Sequence, residues 1–446
     1  MYFSNIIFRR ELFKIADKMS RFNVLTEIKY LKNNEMLDIK SFEELQLYKL
    51  KKLLIHCSET VPYYNRLLKK LKINPIKIDT LNVLNDLPQL TKENIKNNYD
   101  ELLSNKFQRD ELSWGQTGGS TGYPLTYAVD SKCRVKSRAA FYRGLTWSGW
   151  VPGDQVISFW GRPILKNFKN MFYSNLKSTI LKYNHIDAHI LSEEYIEKYL
   201  CLINKKLPRI IIGYSSTLNL LSDYILKNSI DLKGEALLGV YSTAEMLLPP
   251  MKRNIENAFK TKVYNSYGSS EVQAIADTCN KGNMHIHVER VILGKSETSL
   301  TVTDLDNYAM PMINYRINDQ ANFSEAGVCN CGRNLPIIKD LVGRSNLNIL
   351  TKNGKIIHSE FFTHLFEQLD IFKNYDINCF KIHQCKDYKI EISFSGGSAL
   401  KTEDKESICK IINNFSGEEF HVVFKKMQIQ NKENKFMFIS SDLPFD

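Results

Sequence analysis

Apolar residues recur at three- to four-residue spacing through residues 1–105, most clearly in FEELQLYKLKKLLIHCSETVPYYNRLLKKL (42–71). That period keeps them on one side of a helix, and Pro62, with no backbone N–H to give, should break the run. A helical lead-in is therefore predicted. The period then shortens: PLTYAVD (124–130) alternates and DQVISFW (154–160) runs apolar, rich in β-branched and aromatic residues, as strands do. RVKSRAAFYRGLTWSGW (134–150) between them predicts a helix ending at Gly149. PRIIIGYSS (208–216), EALLGVYST (235–243) and TKVYNSYGSS (261–270) predict short strands that end in small or hydroxyl residues. Helical patterns separate them, STLNLLSDYILKN (216–228) and AEMLLPPMKRNIENAF (244–259). Strand–helix alternation argues for a mostly parallel sheet, with ligands beyond the carboxyl ends of its strands.

From about residue 296 the texture turns antiparallel, in TSLTVTDLD (298–306), MPMINYRIND (310–319) and NLNILTKNGKIIH (346–358), the last with a hairpin signal at Asn353-Gly354. A helix SEFFTHLFEQL, strands CFKIHQC and YKIEISF, a polar helix TEDKESICKIINNF and a last strand HVVFKKMQIQ follow. The expected class is α/β: a large N-terminal domain of residues 1–343, with parallel or mixed sheets and the lead-in at 1–105, and a small α+β domain of 344–446.

Composition narrows the function classes. The 446 residues are 43% apolar and 11% aromatic, which is globular. Lys+Arg 60 against Asp+Glu 49 gives +11, but the lysines are scattered and no basic cluster is interleaved with aromatics, so no nucleic-acid partner is expected. The absence of an apolar leader or an 18-residue apolar run predicts a soluble, cytoplasmic protein without a transmembrane segment. The first helix mixes Ile6, Ile7, Leu12, Ile15 and Met19 with Arg9, Arg10, Lys14, Lys18 and Arg21. Packing on its own domain or in a homodimer is the first expectation, and peripheral contact with an anionic membrane the second.

Two segments carry candidate chemistry. GQTGGSTG (115–122) places four glycines beside three hydroxyl residues. Such a run suits either a tight turn or a phosphate cradle, and Tyr123 stands where a P-loop would have lysine. CNKGNMHIH (279–287) and CNCG (329–332) offer three thiols and a histidine, which read either as buried thiols or as a closed tetrahedral zinc site. The other cysteines are isolated and read as small buried hydrophobes.

Taken in order, TGGSTGYPL (117–125), NSYGSSE (265–271), TDLDNYAMPMINYRIND (303–319), VGRSNLNIL (342–350) and NKENKF (431–436) give the chain its resemblance to the adenylate-forming superfamily. The branch it resembles is that of phenylacetate–CoA ligase, CapK and coenzyme F390 synthetase-like proteins, and HCSETVPYYN (56–65) and LPQLTKENI (87–95) extend the similarity into the lead-in. The resemblance implies the acyl-adenylate-forming fold and an ATP-dependent ligase that makes an acyl-AMP.

By resemblance, Thr117, Ser120 and Thr121 would donate to the ATP phosphates while Gly118, Gly119 and Gly122 let the backbone approach. Glu271 would help hold Mg²⁺, Tyr267 would lie on the adenine beside Gly268 and Ser269, Asp319 would take the ribose hydroxyls, and Arg344 would sit at the hinge. Lys435 would bridge the carboxylate and the α-phosphate; Asn434 replaces the family's glycine before it. Trp160, Ser215, Ser242, Ala244, Glu245 and Tyr267 would wall the acid pocket, whose polarity points to a polar or amino-bearing acid. The resemblance also favours structural zinc on Cys279, His285, Cys329 and Cys331, with His285 preferred to His287. The acceptor it implies is either the thiol of coenzyme A, as in a strict aryl- or acyl-CoA ligase, or an amine in surface-polysaccharide synthesis. A non-catalytic nucleotide-binding scaffold on the same fold is the reading from another class.

Overall fold

The computed structural model describes residues 2–19, 23–116, 125–160, 183–187, 193–232, 237–245, 247, 249–295, 299–317, 319–324, 329–342, 348–375, 377, 379–395, 398–426 and 439–443. The lead-in is helical, with long helices at Tyr2–Met19, Val24–Asn34, Ile39–Thr60 and Pro62–Lys70 and a short one at Lys92–Asn97. Local chemistry sets their ends. Asp38 caps the third by accepting from the Ser41 amide, Pro62 opens the fourth where its missing N–H costs nothing, and Thr91 and Asn94 close a reciprocal capping box on the fifth.

Strands β1 (Ser113–Gln116) and β2 (Thr126–Val129) form a hairpin, and Asp130 then caps the helix Ser131–Thr146 through the Lys132 and Cys133 amides. That helix stops three residues short of the expected Gly149: the amides of Trp147, Ser148 and Gly149 reach back only three residues, a tightened last turn, and Gly149 takes φ +93°. Next come β3 (Val156–Trp160), β4 (Tyr183–Asp187), β5 (Ile210–Tyr214), β6 (Gly239–Thr243) and β7 (Val263–Tyr267), then β8 (Ala276–Thr278) and β9 (Met284–Ile286). Helices Glu193–Lys206, Ser215–Lys227 and Pro249–Phe259 cross between them. The last begins at Pro249 and not near Ala244, because prolines fit the first helical turn and residues 244–245 are used in the bend after β6.

β10 (Val291–Lys295), β11 (Leu300–Asp304) and β12 (Tyr315–Ile317) make a three-stranded antiparallel sheet, and β13 (Gln320–Ser324) and β14 (Ile337–Val342) return to the main one. Among the described residues the main sheet has nine strands, in the order β13-β14-β9-β8-β7-β6-β5-β3-β4. Of these, β4, β3, β5, β6 and β7 run parallel and the others antiparallel, so of the expected parallel or mixed sheets this is the mixed kind, parallel where strands and helices alternate. The parallel strands are covered on both faces. Ile211 and Val240 join the cluster under the three crossover helices, while Ile210, Ile212 and Tyr241 join the one under Val24–Asn34 and Ser131–Thr146.

Beyond residue 347, β15 (Asn348–Leu350) and β16 (Ile356–His358) form a hairpin turned at Gly354, φ +80°. β17 (Cys379–Gln384), β18 (Ile390–Ser395), β19 (Val422–Lys426) and β20 (Ile439–Ser441) form a four-stranded sheet in the order β19-β18-β17-β20. The strand containing HVVFKK is therefore not the last: β20 adds in parallel to β17. Helices Ser359–Gln368 and Thr402–Ser416 cover this sheet and share a separate hydrophobic core that runs from Ile349 to Ile439. Among the described residues, no helix is long and apolar enough to cross a membrane.

Candidate functional site

The parallel strands are short apolar runs whose carboxyl ends turn polar. Phe159 pairs with Gly213, Tyr214 with Thr243, and Thr243 with Ser266, so β3, β5, β6 and β7 end along one edge of the sheet. There Ser215 and Ser242, both fully buried, hydrogen-bond through their hydroxyls at 2.6 Å. Glu245 accepts from the Ser216 amide at 2.8 Å and its hydroxyl at 3.0 Å, so a carboxylate sits on the positive amino end of helix Ser215–Lys227. Ala244 between them holds φ +66°, a left-handed conformation that a residue with a Cβ adopts only at a cost. Trp160 and Tyr214 stand with ring centroids 5.2 Å apart on the same rim. The proposed wall residues Trp160, Ser215, Ser242, Ala244, Glu245 and Tyr267 all fall on these strand ends or the turns leaving them.

The turn after β7 lies beside them. Ser269 N–H donates to Val272 O and the Ser269 hydroxyl accepts from Val272 N–H, both at 3.0 Å, while Ile275 N–H donates to Tyr267 O. A Cβ on Gly268 would lie 3.0 Å from the Ala274 nitrogen, so the close return of the chain needs glycine there. Tyr267 donates its phenol to Asp319 Oδ2 at 2.9 Å, and the Asp319 carbonyl is held by Leu300 N–H at 2.7 Å. Glu271 is buried; Tyr315 donates to its Oε1 at 2.6 Å and Lys92 Nζ lies 3.7 Å from the same oxygen. Tyr267, Gly268, Ser269, Glu271 and Asp319 are thus gathered at one place. Thr117, Gly118, Gly119, Ser120, Thr121, Gly122, Tyr123, Arg344, Asn434 and Lys435 lie outside the described residues.

β8 and β9 pair as an antiparallel hairpin leading away from that turn, and at its far end the ligand atoms of Cys279, His285, Cys329 and Cys331 all lie within 4.8 Å of one another. Cys279 Sγ and Cys329 Sγ are 3.7 Å apart, and Cys331 Sγ is 3.3 Å from His285 Nε2. His285 Nδ1 faces the Leu335 carbonyl at 2.8 Å, which makes it the protonated nitrogen and turns Nε2 toward the sulfurs. Lys281 N–H and the Asn283 amide donate to the Cys279 and Cys329 sulfurs. His287 points elsewhere: its Nε2 meets Asp277 Oδ2 at 2.7 Å and its Nδ1 faces Arg143. Burial and the Arg143 charge push its pKa well down, so it is a neutral core histidine.

Sequence reasoning did not single out Lys92 and Tyr315, which reach Glu271 from within LPQLTKENI (87–95) and TDLDNYAMPMINYRIND (303–319). It also missed the buried Arg143, which pairs with Glu289 at 2.6 Å.

Comparison with known proteins adds kinship to this geometry. No family model matches the chain. It is 26% identical over 350 residues to protein CapK of Staphylococcus aureus, covering 77% of each chain. It is 26% identical over 300 residues to the phenylacetate–coenzyme A ligase of Aromatoleum evansii, covering 62% of this chain and 65% of that one. Among solved structures, 2-hydroxyisobutyryl-CoA ligase with 2-HIB-AMP and CoA bound superposes with a TM-score of 0.64 at 14% identity, covering 92% of both chains. By sequence and by fold the chain is thus similar to the phenylacetate–CoA ligase and CapK-like branch of the adenylate-forming, AMP-forming ligases.

Proposed function

We propose that this ligase activates a carboxylic acid with ATP and transfers the acyl group to a thiol or amine. A carboxylate oxygen attacks the α-phosphorus, the bond to the β-phosphate oxygen breaks and pyrophosphate leaves; the acceptor then attacks the acyl carbon and AMP leaves. The supporting observation is that one sheet edge carries both a polar wall, Ser215–Ser242 with Glu245, and the Tyr267–Asp319 pair with Glu271. The reaction needs reactants held in line and phosphate charge offset, which is a positioning and electrostatic task.

In this reading Asp319 accepts from the ribose, Tyr267 lies along the adenine, and Gly268 and Ser269 shape the turn beneath it. Thr117, Ser120, Thr121 and the loop glycines 118, 119 and 122 cradle the phosphates, Arg344 acts at the hinge, and Lys435 offsets charge at the α-phosphate from the domain 344–446, which moves against 1–343. Glu271, a hard oxygen donor, fits Mg²⁺, which when bound offsets charge on the phosphates. The Cys279, His285, Cys329 and Cys331 set fits Zn²⁺: Zn–S bonds of about 2.3 Å in a tetrahedron put sulfurs roughly 3.7 Å apart, the spacing of Cys279 and Cys329. With four protein donors that site is closed and structural.

Coenzyme A is the first acceptor to try, on the names of the phenylacetate and 2-hydroxyisobutyryl ligases. An amine acceptor in surface-polysaccharide synthesis is the second, resting on kinship to CapK. The test is carboxylate-dependent ATP–pyrophosphate exchange over aryl, acyl, hydroxy and amino acids with no acceptor present. One acid class should support exchange, and Lys435→Ala should slow it about 100-fold or more. Exchange that is indifferent to Lys435 would remove that residue from the mechanism; ATP binding with no exchange for any acid would favour a scaffold.

A further inference from the structure

The lead-in does more than cover the core. Leu90 forms a parallel bridge with Tyr315: its N–H donates to the Asn314 carbonyl at 3.1 Å and its carbonyl accepts from Arg316 N–H at 2.9 Å. The Asn314 side chain donates to the Leu84 and Leu87 carbonyls, at 3.2 and 2.9 Å. The segment 84–90 is thereby stitched to β12. Two residues on, the Thr91–Asn94 capping box starts a helix with Lys92 as its first residue. This construction delivers Lys92 Nζ to within 3.7 Å of Glu271 Oε1, with Lys92 22% and Glu271 5% exposed at their side chains. Tyr315, the residue bridged to Leu90, donates to the same oxygen.

Both partners thus take one oxygen of a carboxylate that is nearly out of water. Among the described residues, no hydrogen bond is made to Oε2. A buried carboxylate left to rotate would offer a cation either oxygen in several orientations; one pinned by Oε1 offers Oε2 in a single orientation. We infer that Lys92 and Tyr315 are positioning residues that fix Glu271 so that Oε2 is presented to the metal of the bound nucleotide, which makes the helical lead-in part of the adenylation site. The inference rests on the reading of Glu271 as a magnesium ligand.

Removal of a neighbouring cation would by itself tighten Mg²⁺ binding, because it unmasks the carboxylate. Loss of positioning would weaken it, so the two effects have opposite signs. The experiment is calorimetric titration of the full-length protein with ATP, with and without Mg²⁺, which needs no knowledge of the acid. The gain in ATP affinity on adding Mg²⁺ should fall about 10-fold in Lys92→Met, the scale of loss seen when a partner of a metal ligand is removed. Lys92→Arg should restore most of it, and affinity for metal-free ATP should hold in both. A magnesium effect in Lys92→Met that is unchanged or larger would overturn the inference. Glu271→Gln separates the two levels: if it keeps the full magnesium effect, the reading of Glu271 itself fails, whatever Lys92 does. Tyr315→Phe gives a second arm should Lys92→Met fold poorly, with the same expected direction.

Discussion

Gly144 shows how closely single atoms are fitted around the hairpin that bears the site. It lies in the helix Ser131–Thr146, and a Cβ there would overlap the carboxylate of Asp277 on β8. That carboxylate is buried and accepts from His287 Nε2–H, while His287 Nδ1 accepts from Arg143, itself buried and paired with Glu289. Removing any member would leave a neighbour uncompensated out of water, which is costlier than the pair is favourable. Gly144→Ala should therefore lower stability by about 1–3 kcal/mol, as overpacking does, seen as a lower urea midpoint; an unchanged midpoint would show that the helix can move aside. None of this could be read from GLTWSGW, because a helical glycine looks alike whether its bare side meets solvent or a carboxylate. The hydroxyl-rich strand ends were legible at the same scale, since Ser215 and Ser242 follow apolar runs of strand length.

At the scale of elements, the hairpin β8–β9 ties two regions together. One end leaves the Tyr267–Glu271 turn; the other brings Cys279 and His285 to Cys329 and Cys331, and Arg333 just beyond pairs with Glu35 at 2.9 Å while lying over the Trp147 ring. A bound metal would clamp these ends. We expect zinc near one equivalent per chain by elemental analysis, and strong chelation to lower the melting temperature by roughly 5–10 °C, as loss of a tight ligand does. A metal-free protein with the same melting temperature would argue for buried thiols. The cysteine spacing was visible in the sequence, but the hairpin was not: β8 and β9 are three residues each, too short to show alternation. The antiparallel half of the main sheet was hidden for a further reason: β13 and β14 have five and six residues, but strand direction follows from pairing partners that a local pattern does not name.

For the whole molecule, the second core between Ile349 and Ile439 is built from its own strands and helices. Residues 348–446 expressed alone should unfold cooperatively, followed by circular dichroism; a non-cooperative melt would mean that this part depends on the rest of the chain. The change from long helices to alternating strands and then to a β–α–β tail was readable because periodicity survives without knowledge of contacts. The partners of the lead-in were not, because they are the most distant in the chain. Gln46 reaches Val291 across 245 positions, Lys49 reaches Asp306 across 257, and Glu35 receives Arg333 across 298. A ribosome releases the chain in order, so Gln46, Lys49 and Glu35 wait 245, 257 and 298 positions for these partners, whereas Val24–Asn34 meets the earlier-made helix Ser131–Thr146. Contacts this remote are formed late and slowly. A nascent chain stalled before Val272 would hold the helices Ile39–Thr60 and Pro62–Lys70 without most of the buried residues that share their core, leaving that apolar surface open to a holding chaperone during synthesis.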